Sequence, residues 1–349
     1  MPAVDAIVRA CYVADDDLVG LRDRFLGALR RVVPVDAAFV AIADPETLLF
    51  THAWQEEPLV PAAEAFLNVE FAATPDVNRF ADLANDGAGI NTLDNATAGA
   101  RADSARYRNA IAPLGMGDEM RVALRAGSST WGFLCLHRSG ASSFTDDEVG
   151  VLRAVAPHVA TAIRRIVATS ITDSADTHGR GVLIVGADHV LAMAGSAEAW
   201  LSEIADTPVR VGDPLPVVPQ ALVRRLAQLE SGGNASASVQ LPTSSGALVT
   251  VDAARLFSVE GDGNVVITFA PPAQDERARF LLSAYDLTAA QRRVAALVLQ
   301  GRTTRQIMHA LHISEHTVQD HLKAIFDKFG VRSRRDLVAT VFANTPPQH

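Results

Sequence analysis

The chain has 349 residues, 48% hydrophobic and 20% charged, which is enough apolar content for the cores of two or three domains and too much for general disorder. No apolar run approaches the roughly 18 residues of a membrane span, and residues 1–5 lack the basic and apolar stretches of a signal peptide. Two cysteines, Cys11 and Cys135, are too few for a disulfide framework or a four-ligand zinc site, so a cytoplasmic protein without membrane or metal partners is expected.

The net charge of −9 argues against a nucleic-acid partner until the chain is divided at Gln274. Residues 275–349 carry 11 basic against 7 acidic groups (+4), while the first 274 carry 20 against 33 (−13). Both lysines of the protein, Lys323 and Lys328, lie in that last stretch. An acidic body with a basic end fits a nucleic-acid-binding tail.

In chain order, Leu18, Leu21, Phe25, Leu29 and Val32 have helical spacing. Strands are expected at 37–43 and 48–54, joined by the turn Asp44-Pro45-Glu46-Thr47. A less regular middle precedes a second hairpin, 119–125 and 131–138, with Gly127-Ser128 at its turn. Thr145 and Glu148 form a capping box opening a long helix whose apolar stripe runs from Val149 to Ile166, with a kink at Pro157. A polar linker at 172–179 leads to strands at 181–185 and 190–194 around Asp188-His189, then helices at 196–201 and 220–230. Strands follow at 237–241, 248–256 and 265–269, and Pro271-Pro272 is a second linker.

The last region is helical and well punctuated. Thr288 with Gln291, and Thr303 with Gln306, are capping boxes; Ser314 caps a third helix with the stripe Val318, Leu322, Ile325, Phe329; Ser333 caps a fourth. Gly301 and Gly330 end two of them. Two helices across the tight turn His312-Ile313-Ser314 form the helix-turn-helix arrangement, whose second helix enters the major groove.

These residues resemble the LuxR-type (FixJ-type) DNA-binding domain. The match runs through Leu287-Thr288, Val294, Gly301, Gln306-Ile307, Leu311, Ile313-Ser314-Glu315, Thr317-Val318, His321-Leu322, Ile325, Lys328, Gly330-Val331-Arg332-Ser333-Arg334 and Asp336-Leu337-Val338. The resemblance implies that residues 315–329 are the recognition helix and that the fourth helix, through Leu337, Val338 and Val341, pairs two copies on DNA. Arg302, Thr304, Arg305, Thr317 and Lys323 are phosphate candidates; Ser314, His316, Gln319 and Asp320 complete the candidate DNA contacts. His321 reads equally as a contact or a packed residue. The family's usual lysine is Gln319 here, and Asp320 adds a negative charge. Gln reads adenine and Asp accepts from cytosine, so both are candidate specificity residues, with a solvated or Lys323-paired Asp320 as the alternative.

The front of the chain resembles a GAF domain in its two hairpins and the closing helix at Phe144-Thr145-Asp146-Asp147-Glu148. The stretch after it resembles a PAS domain. Phe39, Trp54, Phe66, Phe71, Tyr107, Met116 and Trp131 are pocket candidates, with ordinary core as the alternative. The acidic run Asp15-Asp16-Asp17 follows no buried strand, against a phosphorylated receiver domain. No phosphate-binding loop, zinc-ligand cluster or nucleophile elbow stands out.

The expectation is therefore a multidomain protein: two α+β domains, GAF-like (1–171) and PAS-like (179–272), then an all-α four-helix helix-turn-helix domain (275–345). It would be a homodimeric one-component transcription regulator that binds operator DNA. It would respond to a small molecule, or else to a partner protein, and would meet RNA polymerase if it activates; a small-molecule enzyme using the first domain's pocket is the remaining alternative, though no enzymatic activity is expected. No catalytic residue, cofactor or metal is assigned.

Overall fold

Seven consecutive buried residues, Ala37–Ala43, make strand β1 of a computed structural model that describes residues 2–13, 17–171, 178–186, 189–205, 208–230, 236–257, 263–285 and 287–342. Asp15 and Asp16, most of the 172–179 linker, Asp188 and the stretch beyond 342 lie outside the described residues. β1 pairs antiparallel with β2 (Phe50–Gln55) and with β5 (Ser129–Ser139). β5 pairs with β4 (Met116–Ala126) and β4 with β3 (Ile90–Thr92), giving the order β2-β1-β5-β4-β3. β2 starts two residues later than its apolar run predicts. The Asp44 carboxylate accepts from the Glu46 amide at 2.9 Å and the Thr47 hydroxyl at 3.1 Å, and Leu48 is turned to φ 61°, so the loop absorbs Leu48 and Leu49.

Both faces of this sheet are covered, which is why β1 lacks polar alternation. One face, with Ala38, Val40, Met120, Val122, Leu134 and Leu136, packs under α1 (Pro2–Ala10), α2 (Leu18–Leu29) and α6 (Asp146–Ser170). The capping box Thr145–Glu148 and the internal Pro157 of α6 are present. The other face, with Phe39, Ala41, Phe133 and Cys135, packs under α3 (Ala63–Glu70) and α4 (Phe80–Asn85), with α5 (Leu93–Thr97) following β3. The sequence reading missed α1 and treated α3 to α5 as irregular, because helices of 5 to 9 residues are too short to reveal a 3.6-residue period.

The second sheet contains β6 (Gly181–Val185), β7 (Val190–Gly195), β8 (Ala237–Pro242), β9 (Leu248–Arg255) and β10 (Val265–Ala270), in the order β7-β6-β10-β9-β8. Counted from its own first strand, this is the order of the first sheet. α7 (Ala197–Ile204) and α8 (Val217–Glu230) accompany it. α8 also packs on α3, and its Leu222 and Leu226 are buried in a core continuous with Phe66 and Leu67 of the first domain.

Among the described residues the helical end has five helices, one more than the four expected, because α9 (Gln274–Ala284) precedes α10 (Ala289–Leu299), α11 (Thr304–Leu311), α12 (Glu315–Phe329) and α13 (Arg334–Phe342). α9 is shared. Its Phe280 and Ala284 are buried with α6 and Leu248 of the front domains, while Ala278, Leu281 and Leu282 belong to the core of the helical end. A second contact fixes that end, since Arg292 of α10 donates to the hydroxyls of Ser129 at 2.8 Å and Ser128 at 2.7 Å in the β4–β5 turn.

Candidate functional site

The helix-turn-helix is built by local capping. Thr303 accepts from the Gln306 amide at 3.3 Å to start α11. His312 ends it at φ 54°, and the Ile313 amide returns to the Met308 carbonyl at 3.2 Å. Ser314 then accepts from the Thr317 amide at 3.1 Å and lies 2.8 Å from the Thr317 hydroxyl, starting α12 three residues after α11 ends. Val318, Leu322, Ile325 and Phe329 face inward, buried with Val294, Val298 and Ile307.

That burial leaves Glu315, His316, Gln319, Asp320 and Lys323 on the exposed face of α12. All the α12 residues expected to touch bases share it. Asp320 lies 3.6 Å from His316 Nε2, one turn earlier, where the sequence had offered Lys323 as its alternative partner. His321 is half-buried. Arg302 and Arg305, around the start of α11, are exposed. Thr304 is half-buried and its hydroxyl accepts from Arg334 Nη2 at 2.9 Å, while Arg334 Nη1 donates to the Arg302 carbonyl at 2.9 Å. Arg334 thus joins this surface from α13, which sequence spacing did not reveal.

The dimerisation candidates divide. Leu337 and Val341 are 0% and 1% exposed, in the core of the helical end, so two of the three residues expected to pair two copies are already used in packing. Helix α9 and helix α10 supply that packing. Val338 is half-exposed.

In the first domain, Phe39, Phe66 and Met116 are buried on the α3/α4 face of the sheet, with Tyr107 and Phe71 half-buried against them. Trp131 is on the opposite face. The register pairs Leu124 with Gly132 and Arg125 with Thr130, so Trp131 is the extra residue of a β-bulge that turns its indole toward the α6 side. Trp54 also packs, half-buried, on that side. The seven candidates therefore do not line one pocket. Their shared region is filled by Phe39, Phe50, Phe66, Phe80 and Phe133, with ring centroids 4.4 to 6.2 Å apart. A void of about 20 Å³ beside Phe39, Phe66, Leu114 and His137 has room for a single water.

Sequence reasoning missed a buried ionic network beside those rings. Glu119 accepts from Arg106 Nε at 2.8 Å and Arg121 Nε at 3.1 Å, and Arg121 Nη1 donates to Glu70 at 2.7 Å. Arg106 also donates to the Val77 carbonyl at 3.0 Å. Burial alone would raise the Glu119 carboxyl, but the two guanidiniums hold it down to about 2. Burial keeps His137 neutral, lowered to about 4, and pushes the Cys135 thiol up. Glu119, Cys135 and His137 have donor atoms within 4.8 Å of one another. A cation among them would have to displace Arg106 and Arg121 from the carboxylate, so these donors fit a metal poorly. The signal in the sequence was Glu119 and Arg121 alternating with apolar Met120 and Val122, a pattern that usually marks a solvated strand face.

A helix-turn-helix with an open second helix, joined to an α+β front, defines a regulatory protein of the helix-turn-helix class. Residues 286–341 match the bacterial regulatory proteins of the luxR family, and residues 17–163 match the GAF domain. The spore germination protein GerE of Bacillus subtilis (strain 168) is 40% identical over 52 residues, which cover 15% of this chain and 70% of that protein. The chain belongs to the luxR family of bacterial regulatory proteins, with a GAF domain at its N-terminal side. Among solved structures, the VqmA dimer of Vibrio cholerae is similar at 14% identity and TM-score 0.23, covering 49% of this chain and 88% of that one. SdiA of Escherichia coli is similar at 12% identity and TM-score 0.32, covering 99% of this chain and 98% of that one. Among the described residues, no helix is long and apolar enough to cross a membrane.

Proposed function

We propose that this chain is a one-component, sequence-specific transcription regulator that binds operator DNA through α12 and responds to a signal through its front domains. The observation that carries the reading is the exposed face Glu315, His316, Gln319, Asp320 and Lys323, beside Arg302, Arg305 and Arg334, on a capped helix-turn-helix. Arg302, Arg305, Thr304, Thr317 and Lys323 contact phosphates, Gln319 and Asp320 read bases, and Ser314 and His316 lie at the entry of the helix. The domains run 1–171, 179–272 and 275–345, and the middle one is PAS-like because it repeats the strand order of the GAF-matched domain. The chain works as a cytoplasmic homodimer, with Val338 at the pairing surface, and meets RNA polymerase if it activates.

We take the chain not to be an enzyme, because the buried acids Glu119 and Glu70 are bound to Arg106 and Arg121 and so are not free for acid–base work. The test is selection of duplexes from a random pool by the full chain, followed by salt titration of the chosen site. Losing one phosphate contact in Arg305→Ala should weaken all sequences alike and lower the log–log salt slope by about 0.9. A chain that selects no sequence, or an Arg305→Ala variant weakened at the chosen site alone, would overturn the assignment.

A further inference from the structure

The interior of the first domain is filled by phenylalanine rings, and a much larger cavity than the void there lies at its boundary with the second domain. A half-open cleft of about 820 Å³ separates the edge strand β2 and the start of α3 from the segment leading into α8 of the second domain. This is within the range of about 300–1,000 Å³ of small-molecule sites, which favour domain boundaries. Val60, Pro61 and Ala63 form one wall, and Leu215, Pro216 and Val218 form the other. At the floor, Trp54 is stacked against His52 with centroids 5.8 Å apart and planes 18° apart, and the Arg22 guanidinium lies 5.2 Å from the Trp54 ring centre.

The charges lining the cleft are matched by a countercharge at Arg22, Glu56 and Glu64, and by a backbone amide alone at Asp213. Arg22 pairs with Asp23 at 2.7 Å, Glu56 with Arg30 on both carboxylate oxygens, and Glu64 with Arg224 at 3.4 Å. Asp213 accepts from the Arg210 amide at 2.8 Å. The remaining polar lining groups are neutral: the amides of Gln55 and Gln220, and His52, which burial lowers to about 4. His52 Nδ1 lies 3.3 Å from the Thr51 hydroxyl, leaving Nε2 as the ring's second hydrogen-bonding atom. An anionic ligand would find no unmatched cation here and would lose its hydration, since Arg22 is paired with Asp23 and the other charged lining groups are carboxylates.

We propose that the cleft between the first two domains binds a largely apolar small molecule that carries no negative charge and has one or two hydrogen-bonding groups, and that this seam is the ligand site of the front domains. This deepens the reading of those domains as sensors. It also moves the site from the inner face of the first sheet to its edge, where a ligand touches both domains at once.

The test is a pair of dyes with the same apolar body. N-phenyl-1-naphthylamine is neutral, and 1-anilinonaphthalene-8-sulfonate adds an anionic group. Each is titrated into the full chain, followed by fluorescence. The neutral dye should bind at one saturable site per chain, and the sulfonate should bind at least about tenfold more weakly. Ala63→Trp and Gln220→Trp fill the cleft from opposite walls. Each should weaken the neutral dye by about tenfold or more, with the melting temperature kept. Two variants are used so that one poorly folded protein does not decide the result. No saturable site for the neutral dye, equal binding of the two dyes, or full binding by both tryptophan variants would each overturn the proposal. No DNA is present, so the outcome is independent of operator binding.

Discussion

Glu119 offers a direct measure of what the buried ionic network contributes. It is fully buried on β4 and accepts from Arg106 and Arg121 at 2.8 and 3.1 Å. Glu119→Gln keeps the shape and removes the charge, leaving two buried guanidiniums with Glu70 and Asp76 as their remaining acids. Removing one member of a buried pair costs about 3–5 kcal/mol. The acid dependence gives an independent figure. Arg106 and Arg121 hold the carboxyl at about 2, against an ordinary 4.5, in spite of burial, which corresponds to about 3 kcal/mol. Because this carboxyl is depressed, its contribution is complete above pH 4.5 and is lost as pH falls toward about 2. His137 adds an earlier loss. Burial lowers it from 6.5 to about 4, so between those values the unfolded chain takes the proton first and stability falls with pH. Urea unfolding followed by tryptophan emission reads this out, with Trp54 and Trp131 in the first domain and Trp200 in the second. The parent should lose stability in both acid windows. Glu119→Gln should start about 3–5 kcal/mol lower at neutral pH and lose less stability below pH 4.5 than the parent, the remaining loss coming from other depressed carboxyls such as Asp76, Asp94 and Glu148. A variant within about 1 kcal/mol of the parent whose loss below pH 4.5 is as large as the parent's would refute the reasoning.

Four smaller perturbations probe the other elements. Ser314→Ala removes the acceptor of the Thr317 amide and should cost about 1 kcal/mol in the thermal melt of the helical end; an unchanged melt would mean that the cap is dispensable. Gly132→Ala would set a Cβ 2.5 Å from the Ala41 carbonyl oxygen of the neighbouring strand, and should cost about 1–3 kcal/mol in urea unfolding as β1 and β5 are forced apart. Asp320→Asn should raise non-specific DNA affinity and relax preference at one base pair by about 1–3 kcal/mol, measured against operators altered singly; no change in either places Asp320 away from the bases. Val338→Asp, half-exposed and outside the core, should leave the fold intact and shrink a two-half-site footprint, whereas an unaltered footprint puts the pairing surface elsewhere.

The helical end was legible because its information is local. Thr288, Thr303 and Ser314 fix helix starts by bonds to amides three residues on, and the stripe Val318, Leu322, Ile325, Phe329 is read directly from 3.6-residue spacing. The longer strands of both front domains were legible for the same reason, apart from ends set by loops, as at Leu48, but the three-residue β3 (Ile90–Thr92) was lost in the irregular middle. Contacts distant in sequence were not legible. Whether Leu337 and Val341 are free or buried depends on α9, which lies about 50 residues earlier and is itself shared with α6. The face taken by Trp131 depends on one skipped partner in the register with β4, which no composition reveals. Glu119 and Arg121 look solvated in sequence, since a charge in a strand is exposed unless its partners arrive from elsewhere. Here Arg106 and Glu70 arrive from 13 and 51 residues away, and the helices behind them close off water. The sequence by itself determined most of the elements and the exposed face of α12 that we propose meets DNA. The tertiary structure decided which apolar and charged side chains were already spoken for, because burial is a property of the neighbours that packing brings together.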